Sequence, residues 1–214
     1  MLVSTQKNLE NGSTKKPTNK PMKRLSIYLF LILFTLPTPS QADDISDFEI
    51  EGMSIGDSLL DYYSEAKIKE ARVKTGFKSN KFYRVVFLNS KIYDALMFYL
   101  KTDDNNYKIY SINAALNYPN KINECNNKKV LIANELSILF KNSEKHSYTK
   151  NHPQDETGES MFHSVDFYFE DGGSSRVMCI DWSDNFEKNK FIDHLRITIS
   201  SEEFRNFLNN EAYK

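Results

Sequence analysis

Apolar residues along the chain recur in two alternating rhythms. "KFYRVVFLN" (81–89) has the β-branched and aromatic density of a strand, and "IYDALMFYLK" (92–101) and "YKIYSINAAL" (107–116) follow it. The last two are joined by "TDDNN", polar residues that tolerate tight backbone geometry, so the three predict a meander. Residues 57–71, "DSLLDYYSEAKIKEA", predict a first helix. Residues 122–140 predict a second, with Cys125, Val130, Ala133, Leu136, Leu139 and Phe140 on one face, broadened by Leu131 and Ile132. The polar, breaker-rich stretch 141–160 predicts a long loop. Residues 164–182 predict a hairpin turning at Asp171-Gly172-Gly173. "HLRITIS" (194–200) alternates Leu195, Ile197 and Ile199 to one side. A last helix is expected from Ser200, with Glu203 completing a capping box and Phe204, Phe207 and Leu208 as its apolar face.

The expected order is α-βββ-α-βββ-α. Strands in runs rather than alternating with helices imply an α+β fold: antiparallel sheet with helices packed on one face. With no proline- or glycine-rich linker inside 43–214, that span reads as a single domain. Two half-units begin about 64 residues apart, at Asp57 and near Lys121, which suggests duplication, although no residues match between them.

Residues 22–42 change the picture. Lys23 and Arg24 precede an apolar run from Leu25 to Leu36, then prolines, then Ser40-Gln41-Ala42. Those are the three regions of a secretory signal peptide, cut after Ala42. The run has 12 residues, whereas a membrane-spanning helix needs roughly 20. Residues 1–21 have no hydrophobic period and read as a disordered leader or a start placed upstream of Met22. Removing 42 residues that hold six basic and one acidic side chain leaves 172 residues with 22 basic and 28 acidic, a net charge of −6. An acidic domain without a basic stripe excludes nucleic acid as the obvious partner. A periplasmic or secreted protein without stable membrane insertion is expected. Both cysteines, Cys125 and Cys179, fall in this region, and in an oxidising compartment they predict one disulfide. Metal thiolates would need further ligands at finger-like spacing, so no metal or other cofactor is expected.

Gly56-Asp57-Ser58-Leu59 resembles the signature of a large hydrolase family in which the serine is the nucleophile. That family also implies a buried parallel strand before the serine and an Asp-x-x-His that activates it. Here "DFEIEGMSI" is broken by Glu51 and Gly52. Three residues before His146, His152, His163 and His194 stand Ser143, Thr149, Ser160 and Phe191, none of them an aspartate. Ser58 is expected to cap a helix.

"CIDW" contains the single tryptophan. Asp181 and Trp182, with His194 and Arg196 on the neighbouring strand, form a candidate small-ligand site, since aromatics with converging polar groups are what such sites use. The economical alternative packs Trp182 beside the disulfide and pairs Asp181 with Arg196. The stretches "DFEIEGMSIGDSLLDYY", "LMFYLKTDDNNYKIYSI" and "VDFYFEDGG…VMCIDW" resemble small exported proteins of marine alphaproteobacteria. The resemblance covers nearly all of 43–214 and implies a periplasmic address, but no activity. The Gly52-x-x-x-Gly56 turn resembles the opening of small outer-membrane assembly lipoproteins, without their lipid-bearing cysteine. The sequence therefore predicts a non-enzymatic periplasmic domain that binds a partner protein or a small ligand through its sheet. The alternative is a periplasmic hydrolase that uses the Ser58 region or Asp181, His194 and Arg196.

Overall fold

The alternating stretches of the sequence hydrogen-bond edge to edge. The computed structural model describes residues 44–189 and 191–214. The leader, the signal-like segment and the expected cut after Ala42 lie outside them. The strands are β1 (Arg72–Val73), β2 (Phe82–Leu88), β3 (Ala95–Lys101), β4 (Ile109–Asn117), β5 (Glu144–Asn151), β6 (Met161–Tyr168), β7 (Ser174–Asp181) and β8 (His194–Ser200). They form one sheet in the order β1-β2-β3-β4-β8-β7-β6-β5, antiparallel at every junction. The helices are α1 (Glu65–Glu70), α2 (Ile122–Leu139), α3 (Asp184–Lys188) and α4 (Glu202–Asn210). The protein is of the α+β class. Its strand order is palindromic: each half is a helix followed by strands, and the last strands, β4 and β8, pair at the centre.

The two sheet faces differ in chemistry. One carries Val85, Phe98, Ile112, Val165, Val177, Ile197 and Ile199 into a continuous core. α2 covers this face across β7 and β8 with Cys125, Ile132, Ala133 and Leu136, and Ile68 of α1 joins the same core. Deleting a fully buried ring such as Phe98 would cost about 3–5 kcal/mol through lost transfer energy and the cavity left behind. The Cys125–Cys179 disulfide, with Cα atoms 6.0 Å apart, ties α2 to β7 on this side.

α4 departs from the expected single-face arrangement and lies on the opposite face. Its Phe204 and Phe207 pack on Phe82, Tyr99 and Tyr110. The bulge between β3 and β4 turns Tyr110 to that side. The helix begins one residue later than expected, because Ser200 stays in β8 with its Oγ 2.8 Å from Ser111 Oγ. Ser201 caps α4 by accepting from Phe204 N, while Glu203 pairs with Lys101 at 2.7 Å.

Three further differences have local causes. The expected helix over 57–71 is broken into a 3-10 turn, Leu59–Asp61, and α1, each opened by a serine cap, Ser58 and Ser64. Short polar side chains that bond nearby amides favour such restarts over a continuous helix. In α2, Val130 and Leu131 are 50% and 56% exposed, so the buried stripe runs through Ile132 instead. The expected loop 141–160 holds the edge strand β5, which is polar because nearly all its side chains are exposed.

Candidate functional site

The sheet face opposite α2 is polar at its centre and aromatic at both ends. Register sets out its floor in rows. Asn113 of β4 faces Thr198 of β8, which faces Arg176 of β7, which faces Asp166 of β6. In the next row Ala115, Arg196, Met178 and Ser164 lie side by side, and beyond them His194, Ile180 and Phe162. Small floor residues, Ser111, Ser174 and Ser200 among them, leave room above the sheet. A cavity of about 440 Å³ results, bounded by α4 on one side and by His152 and Pro153 on the other.

Both rims are fixed by specific bonds. Asp155 accepts from Ser160 N at 2.9 Å, from Ser160 Oγ at 2.6 Å and from Ser183 Oγ at 3.2 Å. Hydrogen bonds from Ser160 and Thr157 hold its carboxyl well below the usual carboxylate range. This braces the His152 loop, and the His152 ring lies 4.3 Å from Trp182. Trp182 stacks on Phe186 and packs on Phe191, and its amide donates to Asp193 Oδ1 at 2.8 Å. On the α4 side, Arg205 lies over the Tyr168 ring and donates to the carbonyls of Gly172 and Gly173. Gly172, at φ +81°, gives the hairpin turn its left-handed residue.

Charge in the cavity is unevenly compensated. Arg176 donates to both oxygens of Asp166, from Nε at 2.8 and 2.9 Å and from Nη2 at 2.5 Å. Burial opposes ionisation of Asp166, but Arg176 and the hydroxyls of Ser164 and Tyr148 outweigh it and hold the pKa down. Among the described residues Arg196 has no carboxylate partner. Its Nη2 donates to His194 Nε2 at 2.9 Å, and His194 Nδ1 faces Ile192 O at 2.7 Å. Burial first, then the Arg196 charge, lower the His194 pKa to about 4, so at neutral pH the imidazole accepts and carries no charge. The buried Nε of Arg196 has no hydrogen-bond partner. Asn113 Oδ1 accepts from Thr198 Oγ1 at 2.6 Å, which leaves the amide N–H donors of Asn113 for the cavity.

The chain as a whole matches no family model, no curated protein and no solved structure.

Of the residues singled out in the sequence, His194 and Arg196 meet directly, and Trp182 stands beside them on the same face. Asp181 does not join them. It follows Cys179 on the α2 side of β7, where burial raises its pKa and His163, across from Cys179, works against that rise. The economical alternative fails with it, since Trp182 packs on the face away from the disulfide and Asp181 does not pair with Arg196. Asn113, Thr198, Asp166 and Arg176 were not anticipated. The Asp166–Arg176 pair was within reach, because a hairpin turning at 171–173 sets those two residues opposite one another. Ser58 accepts from Leu60 N at 3.3 Å and donates to Asn106 O at 2.7 Å, which is a cap. The shallow cleft beside it is lined by lysines, aspartates and Tyr110, with no histidine. Among the described residues no group of three His, Cys, Asp or Glu side chains could hold a metal ion.

Proposed function

We propose that this is an exported periplasmic domain that acts by binding, without catalysis, and that its binding surface is the sheet face around Arg196. One observation carries the reading: a guanidinium without a counter-ion stands in a cavity of about 440 Å³. Burying a charge without a partner costs folding energy, and a chain keeps such a cost where a ligand relieves it. The cavity size and the few convergent donors between apolar walls are those of small-ligand sites.

Export is supported by the signal-like segment 22–42 and by the Cys125–Cys179 bond, which persists in oxidising compartments. No helix among the described residues is long and apolar enough to cross a membrane. Neither hydrolase arrangement is assembled: Ser58 is spent on a cap, and Asp181 lies on the other sheet face from His194 and Arg196.

The test is native mass spectrometry of the purified protein after exposure to periplasmic small-molecule extract. The expected result is a mass adduct that Arg196→Gln removes while melting cooperatively. Turnover in a broad esterase screen, with no adduct from any extract, would overturn the reading.

A further inference from the structure

We infer that the ligand of this cavity is a small monocarboxylic acid with an apolar body, its carboxylate held by Arg196 and Asn113. The assignment rests on reading this face as the binding surface. Among the described residues four cationic side chains lie in or near the cavity, and their partners decide which charge is open. Arg176 is tied by both oxygens of Asp166, and Arg205 by the carbonyls of Gly172 and Gly173. Arg84 lies at the far side on β2, with its Nη2 on Lys74 O at 3.2 Å. Among the described residues only Arg196 lines the cavity without an oxygen acceptor. One open positive charge matches a monoanion, and a planar guanidinium matches a carboxylate. A phosphate dianion would call on a second free cation, and among the described residues the other lining guanidinium without a carboxylate, Arg205, is engaged by the carbonyls of Gly172 and Gly173.

The surroundings of Arg196 supply the other half of the ligand. On its β4 side, one row along from its direct partner Ala115, stands Asn113, which accepts from Thr198 of β8 and so keeps its amide N–H groups as added donors. On its β7 side the cross-strand neighbours are Met178 and, one row on, Ile180 with Phe162. Directly opposite side chains on adjacent strands, such as Arg196 and Met178, lie about 5 Å apart and diagonal ones about 7–8 Å. A molecule with its carboxylate on Arg196 therefore lays its body on these three side chains. Trp182 packs in the same cluster and is the single tryptophan, so it reports occupancy directly.

The experiment titrates the full-length protein with 3-phenylpropionate, with 3-phenylpropionamide and with inorganic phosphate, following Trp182 fluorescence. The expected result is saturable binding of the acid about tenfold or more tighter than the amide, with Arg196→Gln reduced to the amide's affinity. Should Arg196→Gln fail to fold, the acid–amide ratio in the native sequence and the weakening by Asn113→Ala decide the question. Equal affinity for acid and amide, phosphate binding as tight as the acid, or no binding of the acid at millimolar concentration would each overturn the inference. If the acid fails while an extract adduct still depends on Arg196, the binding surface stands and only the ligand class falls. If both fail, both readings fall.

Discussion

Asp166 and Arg176 neutralise one another across β6 and β7, and that bond leaves no open charge on Arg176. Asp166 is 1% exposed. Asp166→Asn would leave a partly buried guanidinium unpaired, and the expected loss in urea-unfolding stability is about 3 kcal/mol. Replacing both, Asp166→Asn with Arg176→Met, should cost less than the single change, because no charge is stranded. A double variant as weak as the single would contradict that account. His194 makes a pH-dependent prediction. Its folded pKa is about 4, below the ordinary value of about 6.5. The unfolded chain therefore takes up the proton first, so this contribution is intact above about pH 6.5 and is lost as pH falls toward 4. His152 and His163 are shifted the same way by burial and add to the slope. His194→Gln should flatten, but not abolish, the loss of melting temperature across that window. An unchanged slope would show that His194 is not held neutral. At Ser58, Ser58→Ala should cost about 1 kcal/mol, the value of a lost cap, measured by the same unfolding.

Among the elements, those with one buried face were legible and those without were not. β8 announced itself because Leu195, Ile197 and Ile199 alternate with polar residues, and β6 and β7 because a glycine turn separates two apolar runs. β5 gave no period because Glu144–Asn151 is exposed almost throughout, as an edge strand guarded by lysines can be. The pattern locates α2 but not its inner stripe at Val130, since Leu131, Ile132 and Val130 are equally apolar and only the sheet selects among them. The pattern over 57–71 overstates the helix because Ser64 restarts it, a local hydrogen bond that no apolar pattern records. An edge strand hydrogen-bonded on one side opens more readily than a central one. Native-state hydrogen exchange should find the amides of β5 far less protected than those of β7 and β8. Equal protection would mean that β5 opens only with the whole sheet.

For the molecule as a whole, the cavity arises where two halves meet. Asn113 comes from β4, the last strand of the first half, and Thr198 and Arg196 from β8, the last strand of the second. They are more than 80 residues apart in sequence, so local pattern reading could bring His194 and Arg196 together but could not add Asn113. The disulfide lies on the other side of the same sheet. Cys179 points toward α2, while its neighbours Met178 and Ile180 point into the cavity. Stability and binding should therefore separate on reduction. Opening a bond across 54 residues of chain removes a constraint on the unfolded state of about 4 kcal/mol, equivalent to a fall of roughly 10 °C in melting temperature for a domain of this size. Below that lowered transition the sheet register persists, so Arg196, Asn113 and Met178 keep their spacing. Cys125→Ser with Cys179→Ser should thus melt early, yet bind 3-phenylpropionate at room temperature with nearly the native affinity. A variant that melts as the native protein does would remove the disulfide from the stability account. One that stays folded but loses the ligand would show that α2 reaches through the sheet to shape the cavity.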